Sequence, residues 1–178
     1  QAGDALAMST HIGYLHDGNI IQKGLRDSIY YRPQHLAVAQ YLGEPPMNIV
    51  QVVLRQAQTS NRRFFETEDG AQIPADGFEA LSTDTPYRLG FRPQDMEMAD
   101  DPESATIVPQ LSFVETVGST STLHMEFQGQ QIYALHPDPI HLQTGAELPF
   151  VLHPGKFYVY NPDSGALIAT GDTIPSLS

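Results

Sequence analysis

The chain has 178 residues, 40% of them hydrophobic, enough for a packed core in one ordinary domain or two small ones. It contains no cysteine and no tryptophan, which excludes disulfides and zinc–thiolate sites. Nine basic residues against 21 acidic ones give a formal charge of -12, leaving no basic stripe for a nucleic-acid backbone, so no nucleic-acid partner is expected.

No apolar run approaches the ~20 residues that span a bilayer, and Gln1-Ala2-Gly3-Asp4 lacks the basic start of a signal peptide. Membrane association therefore requires a partner. In chain order, residues 4–8 are compatible with one or two helical turns, Leu6 and Met8 being their core contacts. Ile12-Gly13-Tyr14-Leu15 and Ile20-Ile21-Gln22 flank the turn His16-Asp17-Gly18-Asn19, the pattern of a β-hairpin that Gly24 closes. Residues 27–31 form a short helix stopped before Pro33, and Leu36, Val38, Ala39 and Leu42 give a second helix an apolar stripe ending at Gly43. Pro45-Pro46-Met47-Asn48 follows as a linker.

From Ile49 the pattern changes to β. Short runs rich in β-branched and aromatic residues occur at 49–54, 63–67, 87–91, 123–127, 131–135, 148–152 and 157–160, with turn residues at 68–70, 128–130, 144–145 and 164–165. Leu123, Met125 and Phe127 alternate with His124 and Glu126, as in a strand with one buried face. A polar break at Asp100-Asp101-Pro102-Glu103 separates two strand clusters, neither with enough apolar residues for its own core, so they are expected to interleave.

Five segments in one register carry a resemblance: Asp17-Gly18-Asn19-Ile20, Gln22-Lys23-Gly24, Ile29-Tyr30-Tyr31-Arg32-Pro33, Val38-Ala39-Gln40-Tyr41-Leu42-Gly43 and Pro46-Met47-Asn48. In this order the chain resembles the end of an ABC-importer ATP-binding subunit, in the sugar and glycerol-phosphate (maltose-importer-like) branch with a C-terminal regulatory domain of the TOBE type. Leu89-Gly90-Phe91-Arg92-Pro93-Gln94-Asp95 is similar to that family's Gly-Ile-Arg-Pro-Glu segment. The stretch 157–165 is similar to its closing Leu-Phe-Asp-x-x-Thr-Gly hairpin. Gln94, Asn161 and Glu44 depart from the usual Glu, Asp and small residue.

The resemblance implies a mainly β fold. An OB-like barrel regulatory domain would occupy residues 47–178, preceded at 1–46 by a short α+β remnant of the nucleotide-binding domain. For the parent protein it implies ATP and magnesium as cofactors. The implied partners are a second copy of the ATPase subunit, transmembrane permease subunits and a cytoplasmic regulator. The parent would be cytoplasmic, peripheral to the inner membrane through the permease, and would serve uptake of a carbohydrate or glycerol derivative. Importers of an inorganic anion, iron or polyamine carry the same kind of barrel and stay open as an alternative; a stand-alone small-ligand-binding β-barrel is the alternative of a different class.

ATP hydrolysis in this family needs a Gly-rich loop ending in Gly-Lys-Ser/Thr, whose amides cradle phosphates. Gly155-Lys156-Phe157 lacks the earlier glycine and the hydroxyl, and no Leu-Ser-Gly-Gly-Gln signature or apolar strand ending in Asp-Glu occurs. The chain alone is expected to hold no catalytic residue, cofactor or metal. His136-Pro137-Asp138-Pro139-Ile140-His141, with His153, has metal-binding side chains, but its two prolines make it an exposed turn. Asp100-Asp101, Glu66 and Glu68 come without any sign of a cleft. Gly118, Ser119, Thr120 and Ser121 offer amides and hydroxyls for an oxyanion nest, although the resemblance makes this stretch a turn entering a strand. The Ser-Ala-Arg-Asn motif of molybdate-binding relatives is absent. Arg92, beside Pro93 at a strand end, is a lone cation expected in a structural ion pair, at a subunit interface or in a regulatory contact.

Overall fold

A computed structural model describes residues 11–176. The helical turns expected at residues 4–8 lie outside the described residues. Strands β1 (His11–His16) and β2 (Asn19–Leu25) pair through a two-residue turn in which Asp17 (φ 49°) and Gly18 (φ 77°) are both left-handed, as the twist of a tight hairpin demands. Strand β2 runs on past Gly24, which pairs with Ile12, and ends at Leu25, where helix α1 (Arg26–Tyr31) begins directly. The hairpin packs Ile12, Tyr14 and Ile21 against Ile29 of α1 and against Val38 and Leu42, contributed by helix α2 (Leu36–Tyr41) and its end. His35 caps α2: its Nδ1 accepts from the Ala37 N–H at 3.0 Å, which leaves the ring proton on Nε2 to donate to the Ser164 carbonyl at 2.9 Å.

The β portion contains one large antiparallel sheet. Its strands are β3 (Asn48–Gln56), β4 (Arg63–Glu66), β5 (Gln72–Pro74), β6 (Thr85–Phe91), β12 (Tyr158–Tyr160) and β13 (Leu167–Thr170), in the order β13-β12-β6-β3-β4-β5. A three-stranded sheet joins β8 (Gln110–Val117), β9 (Thr120–Phe127) and β10 (Gln130–His136), and a small one pairs β7 (Glu97–Met98) with β11 (Phe150–Val151). Strand β12 returns from beyond the polar break to pair with β6, and β11 returns to β7, so the two clusters do interleave. Neither could bury its apolar face alone.

One hydrophobic core lies between the sheets, with Val52, Phe65 and Leu89 of the large sheet facing Leu123, Met125 and Ile132 of the three-stranded one. Phe157 stands at its centre, with ring centroids 6.3 Å from Phe65 and 6.5 Å from Phe78 and Phe91. Leu123, Met125 and Phe127 point inward, as their alternation predicts. Fully burying a side chain of this size contributes about 1.5–3 kcal/mol. The fold is mainly β, as expected, with its sheets packed around one core after a short helical and hairpin segment.

A second cluster, Ala39, Met47, Ile49, Tyr158, Tyr160 and Ile174, fastens the helices to the large sheet. Gly90 of β6 makes room for it, since a Cβ there would stand 2.6 Å from Met47 Sδ and 3.3 Å from Tyr158 Cβ. Methionine in the linker and glycine in β6 are thus two halves of one contact.

Candidate functional site

A latch joins the helical segment to the β portion. The last carbonyls of a helix and of the turn after it have no partner within the helix. Here strand β12 supplies the donors: the Tyr158 hydroxyl donates to the Tyr31 carbonyl at 2.7 Å and the Tyr160 hydroxyl to the Pro33 carbonyl at 2.9 Å. Arg92 donates through one terminal nitrogen to the Tyr30 carbonyl and through the other to the Leu42 carbonyl at 3.4 Å. Its guanidinium lies 4.0 Å from the Tyr30 ring centroid and 5.9 Å from that of Tyr158. A cation beside helix-end carbonyls and over aromatic faces is favoured on both counts. Burial raises the hydroxyl pKa of Tyr158 and of Tyr160 above the ordinary value, so both stay protonated as donors.

Arg92 is 3% exposed and Pro93 beside it is buried. In place of the expected ion pair, among the described residues the guanidinium serves main-chain carbonyls and aromatic rings, and its Nε has no hydrogen-bond partner there. Polar side chains complete the latch. The Gln22 amide donates to the Arg32 carbonyl at 3.0 Å and accepts from the Gln34 N–H at 2.9 Å, bridging over Pro33, which has no N–H. Asn161 Oδ1 accepts from the N–H of Asp163 at 2.8 Å and of Ser164 at 2.9 Å, bonds that need only an oxygen and that asparagine makes as an aspartate would.

A cleft of about 840 Å³ adjoins the latch. Met96, Leu123, Ala134 and Phe150 form its floor, while Asp95, Glu97, His136, His153, Lys156 and Asp172 stand around it. His153 Nε2 lies 2.9 Å from Glu97 Oε2. Burial pushes the Asp95 carboxyl above the usual carboxylate range, against the pull of Lys156, Arg92 and His153. A smaller recess of about 250 Å³ shares Asp95 and Lys156 and reaches Arg92, Tyr30 and Tyr158. This cleft is not legible in the sequence, because its walls come from six separated stretches.

The structure places the other expected residues as follows. Gly118 (φ 62°) and Ser119 form the turn between β8 and β9, and Thr120 and Ser121 open β9. Ser121 is buried, its Oγ 2.9 Å from Thr116 Oγ1 and accepting from the Ile140 N–H at 3.4 Å, so its hydroxyl faces away from the turn amides. His136 Nδ1 lies 2.9 Å from the Asp138 carbonyl. No group of three or more metal-ligating side chains gathers among the described residues. Asp101 Oδ1 caps a short turn, accepting from the Glu103 N–H at 3.0 Å, and Glu66 stands 3.5 Å from Arg55.

No family model matches the chain. The maltose/maltodextrin import ATP-binding protein MalK of Vibrio parahaemolyticus is 26% identical over 167 residues, 92% of this chain and 44% of that protein. The sn-glycerol-3-phosphate import ATP-binding protein UgpC of Jannaschia sp. is 28% identical over 162 residues, 91% of this chain and 43% of that protein. The chain is similar to the C-terminal part of ABC-importer ATP-binding subunits. A further ABC transporter ATP-binding protein, y4oS of Sinorhizobium fredii, is 25% identical over 166 residues, 93% of this chain and 43% of that protein. The chain spans less than half the length of these importer subunits. Among solved structures, the cytoplasmic molybdate-binding protein ModG covers 63% of this chain and 94% of its own, with 13% identity and a TM-score of 0.49.

Proposed function

We propose that the chain is the regulatory and dimerisation region of the ATP-hydrolysing subunit of an ABC importer, one that takes up a carbohydrate or glycerol derivative. The observation that carries this reading is similarity over more than nine-tenths of the chain to subunits named for maltose/maltodextrin and sn-glycerol-3-phosphate import. The latch supports it. Arg92, Tyr158 and Tyr160 bind the helical segment to the barrel through carbonyls of residues 30, 31, 33 and 42, so the two move as one body. A barrel fastened in this way can hold two ATPase subunits together while their nucleotide faces open.

In the parent, ATP and magnesium bind outside this chain, and closure of two subunits on ATP drives permease subunits that hold the assembly at the inner membrane. A cytoplasmic regulator acts on the barrel. No helix among the described residues is long and apolar enough to cross a membrane, and the permease supplies the attachment. Two measurements test the reading. Isothermal titration of the chain with magnesium–ATP is expected to give no specific heat, and micromolar binding would overturn it. The parent subunit, reconstituted with its permease, is expected to form a stable pair that is lost when it is cut after Pro46; a pair of undiminished stability would remove the dimerisation role.

A further inference from the structure

We infer that the cleft beside the latch binds a small organic cation, a primary ammonium group carried on an apolar body. Its volume of about 840 Å³ lies in the range of small-molecule sites. The floor is apolar and closed, with Leu123 and Phe150 each 1% exposed and Met96 5% exposed. Around that floor stand three carboxylates, Asp95, Glu97 and Asp172, against one lysine, Lys156. The histidines are turned to partners of their own, His136 to the Asp138 carbonyl and His153 to Glu97.

Asp95 is the anchor. Its carboxyl is half-buried and accepts no hydrogen bond from any described residue, although its backbone N–H is bonded to the Arg92 carbonyl at 3.0 Å. A carboxylate withdrawn from water without a donor is costly; Lys156, Arg92 and His153 offset part of that cost through space, and an incoming ammonium offsets more with a charge-assisted bond. The same arrangement disfavours other ligands. An anion meets Asp95 and Asp172 beside the His153-bonded Glu97, with Lys156 the one lysine at the cleft, and a metal ion finds no group of three ligands among the described residues. The partly exposed apolar groups that line the cleft, among them Met98 and Leu135, take the ligand's body and supply affinity without direction, while the carboxylates select the charge.

The inference does not rest on the transport reading, since it concerns the isolated chain and a measurement without nucleotide or permease. A ¹⁵N-labelled chain titrated separately with 2-phenylethylamine, 2-phenylethanol and 3-phenylpropionate holds the apolar body nearly constant and varies the charge. The amine is expected to shift amides at residues 95–98, 134–136 and 153–156 with a Kd of about 1 mM or below, the alcohol to bind at least about tenfold more weakly, and the carboxylate not to bind. Asp95→Asn is expected to weaken the amine about tenfold and to leave the alcohol unchanged. Should Asp95→Asn fail to fold, Asp172→Asn at the rim must weaken the amine about threefold. No amine shift up to about 10 mM, equal binding of alcohol and amine, or an unchanged amine affinity in the folded variant overturns the assignment. Failure here leaves the importer reading standing, and magnesium–ATP binding leaves this one standing.

Discussion

Asn48 and Tyr133 exchange two hydrogen bonds of 2.8 Å, the Tyr133 N–H donating to Asn48 Oδ1 and Asn48 Nδ2 donating to the Tyr133 carbonyl. The side-chain amide takes the place of a neighbouring strand at the edge of β10. Asn48 is the first residue of β3 in the large sheet and β10 belongs to the three-stranded one, so this one side chain ties the two sheets together. It is 3% exposed, which keeps water from competing for either bond.

Asn48→Leu, close in size, leaves both Tyr133 backbone groups unmet. The expected loss is about 2–4 kcal/mol in urea unfolding, two polar groups at roughly 1–2 each. Asn48→Asp keeps the acceptor and is expected to be less destabilising near pH 4, where a protonated carboxyl can donate, than at neutral pH. A Leu variant as stable as the parent chain would show that the bridge contributes nothing.

Arg92→Lys keeps the charge and loses the fork that serves the Tyr30 and Leu42 carbonyls together. A stability loss of about 2–3 kcal/mol is expected, with part of the stacking on Tyr30 also gone. Hydrogen exchange gives the sharper readout: amides at 26–42 should exchange faster while those of β9 keep their protection. Uniform acceleration throughout would mean that Arg92 supports the fold generally and is no latch.

Much of this architecture is legible in the residues. The Asp17-Gly18 turn, both helices and the alternation in β9 follow from local chemistry, and the interleaving follows from the shortage of apolar residues in each strand cluster. Strand β8 is not legible, because an irregularity between Leu111 and Phe113 breaks the period of two and leaves Phe113 50% exposed. The run 148–152 shrinks to Phe150–Val151, where pairing with the equally short β7 ends. The latch is half legible: Arg92 stands out in an acidic chain, yet its partners are carbonyls 50 and 62 residues away, and carbonyls carry no sequence signal.

Asp95→Asn is expected to stabilise the chain at neutral pH. Burial raises the folded-state pKa above the unfolded one, so the unfolded chain gives up this proton first and the wild type loses stability as pH climbs from the unfolded to the folded pKa. Asparagine has no such loss. The advantage of the variant should therefore be present at neutral pH and vanish below the ordinary carboxylate range. An advantage that grows on acidification would have the wrong sign and would exclude burial as the dominant influence on Asp95.

Gly171 crosses over the turn at Gly155 so closely that a Cβ on it would lie 2.3 Å from the Gly155 carbonyl carbon and oxygen. Those atoms are backbone, held by the Gly171 N–H bond to Phe157 at 2.7 Å and the Thr173 N–H bond to Gly155 at 3.0 Å. Gly171→Ala cannot be absorbed by a rotamer change and is expected to cost about 1–3 kcal/mol or more. Amides at 155–157 and 171–174 should lose protection first. A melting temperature within about 1 °C of the parent chain would show that the crossing has slack.

Self-association sets charge against apolar surface. Two copies bring together formal charges of -12 each, a repulsion that acts over about 10 Å at 0.1 M salt and over less as salt is added. The three-stranded sheet exposes Phe113 at 50% and Val117 at 75%, area that a two-fold contact can bury on both copies at once. Arg92 takes no part in such a contact, being 3% exposed within its own chain. The expected behaviour is a monomer or weak dimer at low salt whose association strengthens as salt rises. Phe113→Ser should remove the salt-induced dimer without lowering the melting temperature by more than a few degrees. Sedimentation velocity across a salt series decides the matter: a tight dimer that comes apart as salt is added would mean that attractive charge pairs hold the copies together, and the apolar face would then have no part in it.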